Sequence, residues 1–191
     1  MNTKRLAAAK ALEEVTDGML LGLGSGSTAR EFIDLLGARV ADGLRVTCIA
    51  TSTASELQAR ELDIPVVNRV DRRLDLTVDG ADEIDPALNL IKGLGGALLR
   101  EKVVAGSSHR MVVIGTEDKL VRQLGQRCPL PVEVLPLLWE RTAEAITRLG
   151  LSPVLRPLST TEGLSAQALP YLTDNRNYIV DCRISGKIDP E

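Results

Sequence analysis

Hydrophobic positions follow two rhythms along this chain, a helical spacing of about 3.6 residues and short unbroken apolar runs. Residues 3–16 have the helical spacing after a polar start, and Asp17-Gly18 supplies the stop of a first helix. MLLGLG (19–24) is an apolar run that opens into Ser25-Gly26-Ser27-Thr28, after which AREFIDLLGARVADG carries apolar residues at Phe32, Leu35, Leu36 and Val40. That succession predicts a strand, a glycine-rich turn and a helix. LRVTCIA (44–50) reads as the next strand, and Thr53-Ala-Ser-Glu56 fits a capping box that opens a helix to about Leu62. IPVV (64–67) and LDLTVDG (74–80) add two strands, the second ending at an acidic turn. KGLGG (92–96) then precedes a helix holding ALLREKVVA (97–105), and RMVVIG (110–115) is a further buried strand. Strands and helices alternating in this way predict an α/β fold on a largely parallel sheet covered on both faces, over residues 1–128.

The pattern changes after that. Prolines at 129, 131 and 136 bracket PVEVL, followed by a helix over about 138–149 and strands at 152–156 and 177–184. Residues 129–191 are predicted to form a small α+β lobe. Its strand-helix-strand-strand order is the start of a split βαβ, ferredoxin-like arrangement that ordinarily needs another helix and strand. The lobe is therefore read as incomplete within this sequence, or completed by a partner chain.

Composition narrows the function classes. With 44% hydrophobic residues and only 2% aromatics, the core must be built from Leu, Val, Ile and Ala. A net charge of −3 with acids and bases interspersed leaves no electrostatic footprint for nucleic acid or an anionic membrane, so a small partner is expected. No apolar run approaches the roughly 18–20 residues of a membrane span, and the N-terminus has no signal-peptide pattern, which predicts a cytoplasmic protein. Cys48, Cys128 and Cys182 lack metal-ligand spacing and histidine company, so neither zinc nor a disulfide framework is expected. His109, the single histidine, lies in a polar turn and is read as a surface residue, which excludes a histidine dyad.

Three segments could carry chemistry. Gly22-Leu-Gly24-Ser25-Gly26-Ser27-Thr28 joins a strand to a helix, where backbone N–H groups and the positive end of the helix dipole favour an anion. It fails the dinucleotide fingerprint at Ser27 and has no Gly-Lys-Ser/Thr, so it suits a compact phosphate monoester, or else is a plain tight turn. Val78-Asp79-Gly80-Ala81-Asp82-Glu83 ends a strand at the edge where ligands of open α/β sheets bind. Asp79 and Asp82 could accept hydrogen bonds from sugar hydroxyls or hold a magnesium ion. Lys92-Gly93-Leu94-Gly95-Gly96 sets backbone donors and a cation before a helix on which Glu101 lies between Arg100 and Lys102. That lysine can neutralise charge on a substrate oxygen, and the bland alternative is an exposed charge cluster.

Taken in order and at these separations, the three segments resemble the A-type ribose-5-phosphate isomerase family, from about Lys4 to Asp181. TSTAS (51–55), PLPVEVLP (129–136) and TDNRNYIVD (173–181) add to the match. The resemblance implies a Rossmann-like three-layer domain with a small α+β domain, and a homodimer or homotetramer. It implies an aldose–ketose isomerase that interconverts ribose 5-phosphate and ribulose 5-phosphate, with no cofactor and no metal. By resemblance Ser25, Gly26, Ser27 and Thr28 form the phosphate and substrate loop, with Lys4 approaching the phosphate. Asp79, Gly80, Ala81 and Asp82 line the sugar, Lys92, Gly93, Leu94 and Gly95 hold its reactive end, and Lys119 adds a cation. Glu101 is then the general base, Lys92 a stabiliser of developing charge, and Asp79 or Asp82 an aid to ring opening and proton movement between oxygens.

The chain departs from the family pattern at a few places. Leu94 stands where a third consecutive glycine is usual, and a positive φ there costs a leucine about 1–2 kcal/mol. Leu99 replaces a threonine and Arg176 a glycine, and roughly thirty family residues have no counterpart beyond Glu191. These departures leave one alternative, a catalytically weakened sugar-phosphate-sensing relative on the same fold.

Overall fold

A computed structural model describes residues 2–158, 169–184 and 186. Close packing groups the chain into two units, residues 1–81 with 99–119, and residues 82–98 with 120–191.

The first unit carries a four-stranded parallel sheet. Its helices on one side are α1 (Thr3–Leu12), α2 (Ser27–Ala41) and α3 (Thr53–Glu61), and its strands are β1 (Leu20–Leu23), β2 (Thr47–Ala50) and β3 (Leu76–Gly80). The fourth strand, β6 (Met111–Ile114), follows α4 (Leu98–Gly106), and the order across the sheet is β2-β1-β3-β6. Strand alternation sorts the side chains. Leu21, Leu23, Leu76 and Val78 join Phe32, Ile33 and Leu36 of α2 and Ala8 and Ala11 of α1 in one buried aliphatic cluster. The opposite face carries Gly22, Gly24, Thr77 and Asp79. A methyl on Gly22 would lie 2.6 Å from Val104 Cγ1 of α4, so α4 packs directly on that face. The result is the three-layer α/β arrangement expected from the alternating pattern.

Where local signals compete with tertiary ones, the elements shift. α1 ends at Leu12 rather than near residue 16, and IPVV makes an isolated bridge, Cys48 to Val66, instead of a strand. The cap of α3 is Ser52, whose hydroxyl accepts from Ser55 N–H at 3.1 Å, one residue before the predicted Thr53 box. Glu56 turns outward to Arg60 at 2.8 Å on the next turn.

In the second unit a short antiparallel pair, β4 (Glu83–Ile84) with β5 (Leu90–Ile91), interrupts the sequence between β3 and α4. The sequence pattern gave no sign of this pair. Glu83 is fully buried, and its carboxylate accepts from Gly125 N–H at 2.6 Å, Arg127 N–H at 2.6 Å and Cys128 N–H at 2.9 Å. Those bonds, with the bridge from Ile84 to Leu120, are why residues 82–98 group with the later chain rather than dividing from it at 128/129. Further on, β7 (Leu130–Val134), β8 (Ser152–Leu155) and β9 (Tyr178–Arg183) form an antiparallel sheet in the order β7-β9-β8. Helix α5 (Trp139–Arg148) supplies Ile146 to a small core with Val134, Val180 and Cys182.

The turn before β9 is organised by Glu133, whose Oε1 accepts from Thr173 Oγ1 at 2.9 Å, Asn175 Nδ2 at 3.1 Å and Asn177 Nδ2 at 2.9 Å. It forces Arg176 to φ 61°, left-handed backbone that favours glycine. Leu94, by contrast, has no positive φ, so its expected strain is absent. Arg176→Gly should raise stability by about 0.5–1 kcal/mol, the relief of left-handed strain less the entropy a glycine adds to the unfolded chain. Urea unfolding of the two proteins reads this directly, and an unchanged or lowered midpoint refutes it.

Candidate active site

At the centre of the first unit's sheet, the chain leaves β1 toward β2 on one side and β3 toward β6 on the other. The carboxyl ends of β1 and β3 therefore flank a switch point, the place where open α/β sheets hold ligands. Gly24 and Ser25 follow β1 there. A Cβ on Gly24 would lie 2.2 Å from Asp79 Oδ1 and 2.5 Å from Asp79 Cα, so only glycine lets the two strand ends approach. Asp79, fully buried, accepts from Ser25 N–H at 3.0 Å and from its neighbour Gly80 N–H at 2.7 Å, which fixes the start of the loop.

Gly26 then takes φ 92° as the N-cap of α2, with no side chain capping the helix. The first N–H groups of α2, including those of Ser27 and Thr28, have no intrahelical acceptors, a setting that favours an anion. Lys4 on α1 donates to Ser27 Oγ at 2.8 Å, which brings a cation to the same loop. Asn2 and Arg5 hold the start of α1 against α2 through Glu31, at 2.6 Å and 3.2 Å.

Ser25 is also the hub of a hydroxyl cluster. Its Oγ lies 2.8 Å from Thr51 Oγ1 and 2.7 Å from Ser52 Oγ, and Ser55 Oγ donates to Gly24 O at 2.7 Å. Thr51, Ser52 and Ser55 lie in the TSTAS stretch, which by itself assigns them no place in the site. The available signal was a run of hydroxyls immediately after the second strand.

Glu101, only 5% exposed, stands in the first turn of α4. Ser107 and Ser108, just after α4, meet Leu74 at the start of β3, so the helix runs antiparallel to the strands. Val104 sits over Gly22, and Glu101, three residues earlier, lies about 4.5 Å nearer the carboxyl edge. Gly24 is about 6.5 Å along the same direction from Gly22. By this count Glu101 lies on the helix that covers the Asp79 face of the sheet, on the side of Val104 toward the carboxyl edge. A buried acidic side chain on α4, a helix N-terminus and a lysine thus belong to elements of one unit that meet the carboxyl side of its sheet, groups of the kind that proton transfer on a small anionic ligand requires.

This arrangement has named counterparts. A sequence model of the family described as ribose 5-phosphate isomerase A (phosphoriboisomerase A) matches residues 47–191. The chain belongs to the ribose 5-phosphate isomerase A family. Ribose-5-phosphate isomerase A of Nitrobacter hamburgensis is 52% identical over 186 residues, 95% of this chain and 78% of that protein. The solved structure of a D-ribose-5-phosphate isomerase in complex with phospho-erythronic acid has a TM-score of 0.89 at 39% identity, covering 100% of this chain and 83% of that one. Ribose 5-phosphate isomerase A from Methanocaldococcus jannaschii gives 0.87 at 37% identity, covering 96% and 80%.

The remaining residues that the isomerase pattern singles out fall in two places. Ala81 follows Gly80 at the carboxyl edge of β3, and Lys119 closes a short 3-10 turn (Glu117–Lys119) that follows β6, the strand paired with β3. Asp82, Lys92, Gly93, Leu94 and Gly95 belong to the second unit. There Asp82 Oδ2 accepts from Leu94 N–H at 2.9 Å, and Asp82 N–H donates to Ile91 O at 2.8 Å. Asp82 therefore ties down the glycine-rich loop of the isomerase motif, and Leu94 N–H is engaged within the protein. Glu83, the third acid of the cluster, serves the fold instead of facing a ligand. Cys48 and Cys182 are buried thiols, pushed up by burial to about 12 and about 11. His109 is exposed, as expected of a surface residue. Among the described residues no group of three His, Cys, Asp or Glu could hold a metal ion, and no helix is long and apolar enough to cross a membrane.

Proposed function

We propose that this chain interconverts D-ribose 5-phosphate and D-ribulose 5-phosphate through an enediolate, in the non-oxidative pentose phosphate pathway. The observation that carries the reading is a buried acidic side chain, Glu101, in the same unit as a loop that joins a helix N-terminus to Lys4. The phosphate of the sugar is held by Ser25, Gly26, Ser27 and Thr28 with Lys4. In the open-chain aldehyde, Glu101 takes the proton from carbon 2. The electron pair forms the carbon 1–carbon 2 double bond, and the former carbonyl oxygen becomes an oxyanion. The carboxyl then gives a proton to carbon 1, and the proton of the carbon 2 hydroxyl passes to the carbon 1 oxyanion, which yields the ketone.

Lys92 and the amides of the following loop stabilise the oxyanion, and Lys119 adds positive charge. Asp79 and Asp82 act through what they hold: Asp79 sets the Ser25 and Gly80 amides, and Asp82 sets Leu94. The sensing alternative is not favoured, because relatives at about half identity are named as isomerases. A cytoplasmic homodimer or homotetramer is the assembly we infer. The test is ribulose 5-phosphate formation by the purified chain with a chelator present. Steady turnover supports the reading, and absence of turnover, or turnover that returns only with added metal, rejects it.

A further inference from the structure

Within the second unit, Arg156 at the end of β8 makes a set of contacts that the isomerase reading leaves unused. Its Nε and Nη2 donate to Asp181 Oδ2 at 2.8 Å and Oδ1 at 2.5 Å, a two-pronged ion pair on β9 that is mostly shielded from solvent. Its remaining prong, Nη1, donates to the Leu94 carbonyl at 2.9 Å. The guanidinium carbon lies 5.7 Å from the centre of the Tyr171 ring, and Tyr171 itself reaches the Gly95 carbonyl at 3.5 Å. These residues line an open cavity of about 570 Å³ with Leu94 and Gly95. An arginine locked by a carboxylate and a ring, with one donor spent on a loop carbonyl, is a rigid bracket for that loop.

The consequence follows from peptide geometry. The Leu94 carbonyl and the Gly95 N–H belong to one planar trans peptide, so they point in opposite directions. Fixing the carbonyl toward Arg156 aims the Gly95 N–H away from it. Asp82 holds the N–H of the preceding peptide, so both planes around Leu94 are set. Among the described residues Gly95 N–H donates to no acceptor, and a Cβ at Gly95 would meet nothing within 4 Å. A positive charge on the carbonyl side also polarises the peptide and strengthens its N–H as a donor.

We propose that Arg156 is a positioning residue for isomerisation, acting through the Leu94–Gly95 peptide to aim Gly95 N–H at the substrate oxygen that becomes negative. The proposal rests on the isomerase reading and on the Lys92–Gly95 loop serving the reactive end of the sugar. It separates from that reading because wild-type turnover tests the function, whereas the variants below test only the bracket.

The experiment compares kcat, KM and the affinities for phospho-erythronic acid and inorganic phosphate in wild type, Arg156→Met and Arg156→Lys, with folding followed by circular dichroism. Removing one oxyanion donor commonly lowers turnover by about 10²–10³-fold, and misaiming it by roughly 10- to 100-fold. Arg156→Met should show such a fall in kcat, with KM and inorganic phosphate affinity within about twofold of wild type and weaker binding of phospho-erythronic acid. Arg156→Lys, which keeps the charge but cannot span Asp181 and Leu94 together, should recover part of the loss. Unchanged kcat in a folded Arg156→Met protein overturns the proposal, as does a parallel loss of turnover and phosphate binding. If Arg156→Met does not fold, Gly95→Ala and Gly95→Pro decide. Alanine keeps the N–H and proline removes it, so a much lower kcat for proline supports the proposal and equal kcat values overturn it.

Discussion

Glu101→Gln should lower kcat by roughly 10²–10⁴-fold while leaving KM within a fewfold of wild type. Glutamine keeps the shape of the side chain and its place in the first turn of α4, but it cannot take a proton from carbon 2. The proposed phosphate grip lies on other elements, on the turn after β1 and on α1, so on this reading ground-state binding has no reason to change. Steady-state kinetics on both proteins reads the split. Near-normal turnover in the variant, or a rise in KM that accounts for the whole loss, assigns Glu101 a binding or structural part instead.

Glu83→Gln should have the largest effect on stability, about 3 kcal/mol. Burial alone would push this carboxyl up, yet the Arg127, Cys128 and Gly125 N–H groups outweigh it and hold Glu83 below the usual carboxylate range. An amide places its NH2 against donors where an oxygen accepted them, leaving buried N–H groups unmatched. The pH dependence has a definite sign. A carboxylate lowered in the folded state contributes its full stabilisation above its unfolded value near 4.5 and loses it as the pH falls through the lowered folded value. Urea unfolding across that acid range should therefore fall less steeply for the glutamine variant than for wild type. Equal slopes place the acid sensitivity elsewhere.

Much of the first unit is legible in the sequence because its signals are local. A strand that ends in Gly24-Ser25-Gly26-Ser27 and continues as an amphipathic helix specifies a turn with exposed amides by itself, and the structure delivers that turn with Gly26 at positive φ. Glu101 reads as a candidate only when joined to the other segments, since an isolated Arg-Glu-Lys is usually a solvated face. Its burial comes from α4 lying on the glycine face of the sheet, which no local window reveals.

The misses share that cause. Two-residue strands at Glu83–Ile84 and Leu90–Ile91 are too short to show a period, and Glu83 among acids looks like site chemistry until its three backbone donors, some forty residues on, are seen. The hydroxyls of Thr51, Ser52 and Ser55 become part of the loop only through parallel pairing of β1 with β2. The left-handed backbone falls at Arg176 and not at Leu94 for the same reason. The strain attaches to the turn that Glu133 gathers, not to the glycine-rich loop. Arg156 carries no motif of its own, and its meaning depends on Asp181 beside it and Leu94 across the fold of the second unit.

The account stands on a proton passing from one carbon to its neighbour by way of a side-chain carboxylate, and exchange with solvent tests this most directly. Incubating ribose 5-phosphate with the wild-type chain in deuterium oxide for many turnovers, followed by proton NMR of both sugars, should show deuterium entering at carbon 2 of the aldose and carbon 1 of the ketose. Glu101→Gln should show almost none over the same time. Rapid wild-type interconversion that leaves those carbons free of deuterium would contradict transfer through a carboxyl that trades its proton with solvent, and undiminished exchange in the glutamine variant would mean that another group is the base.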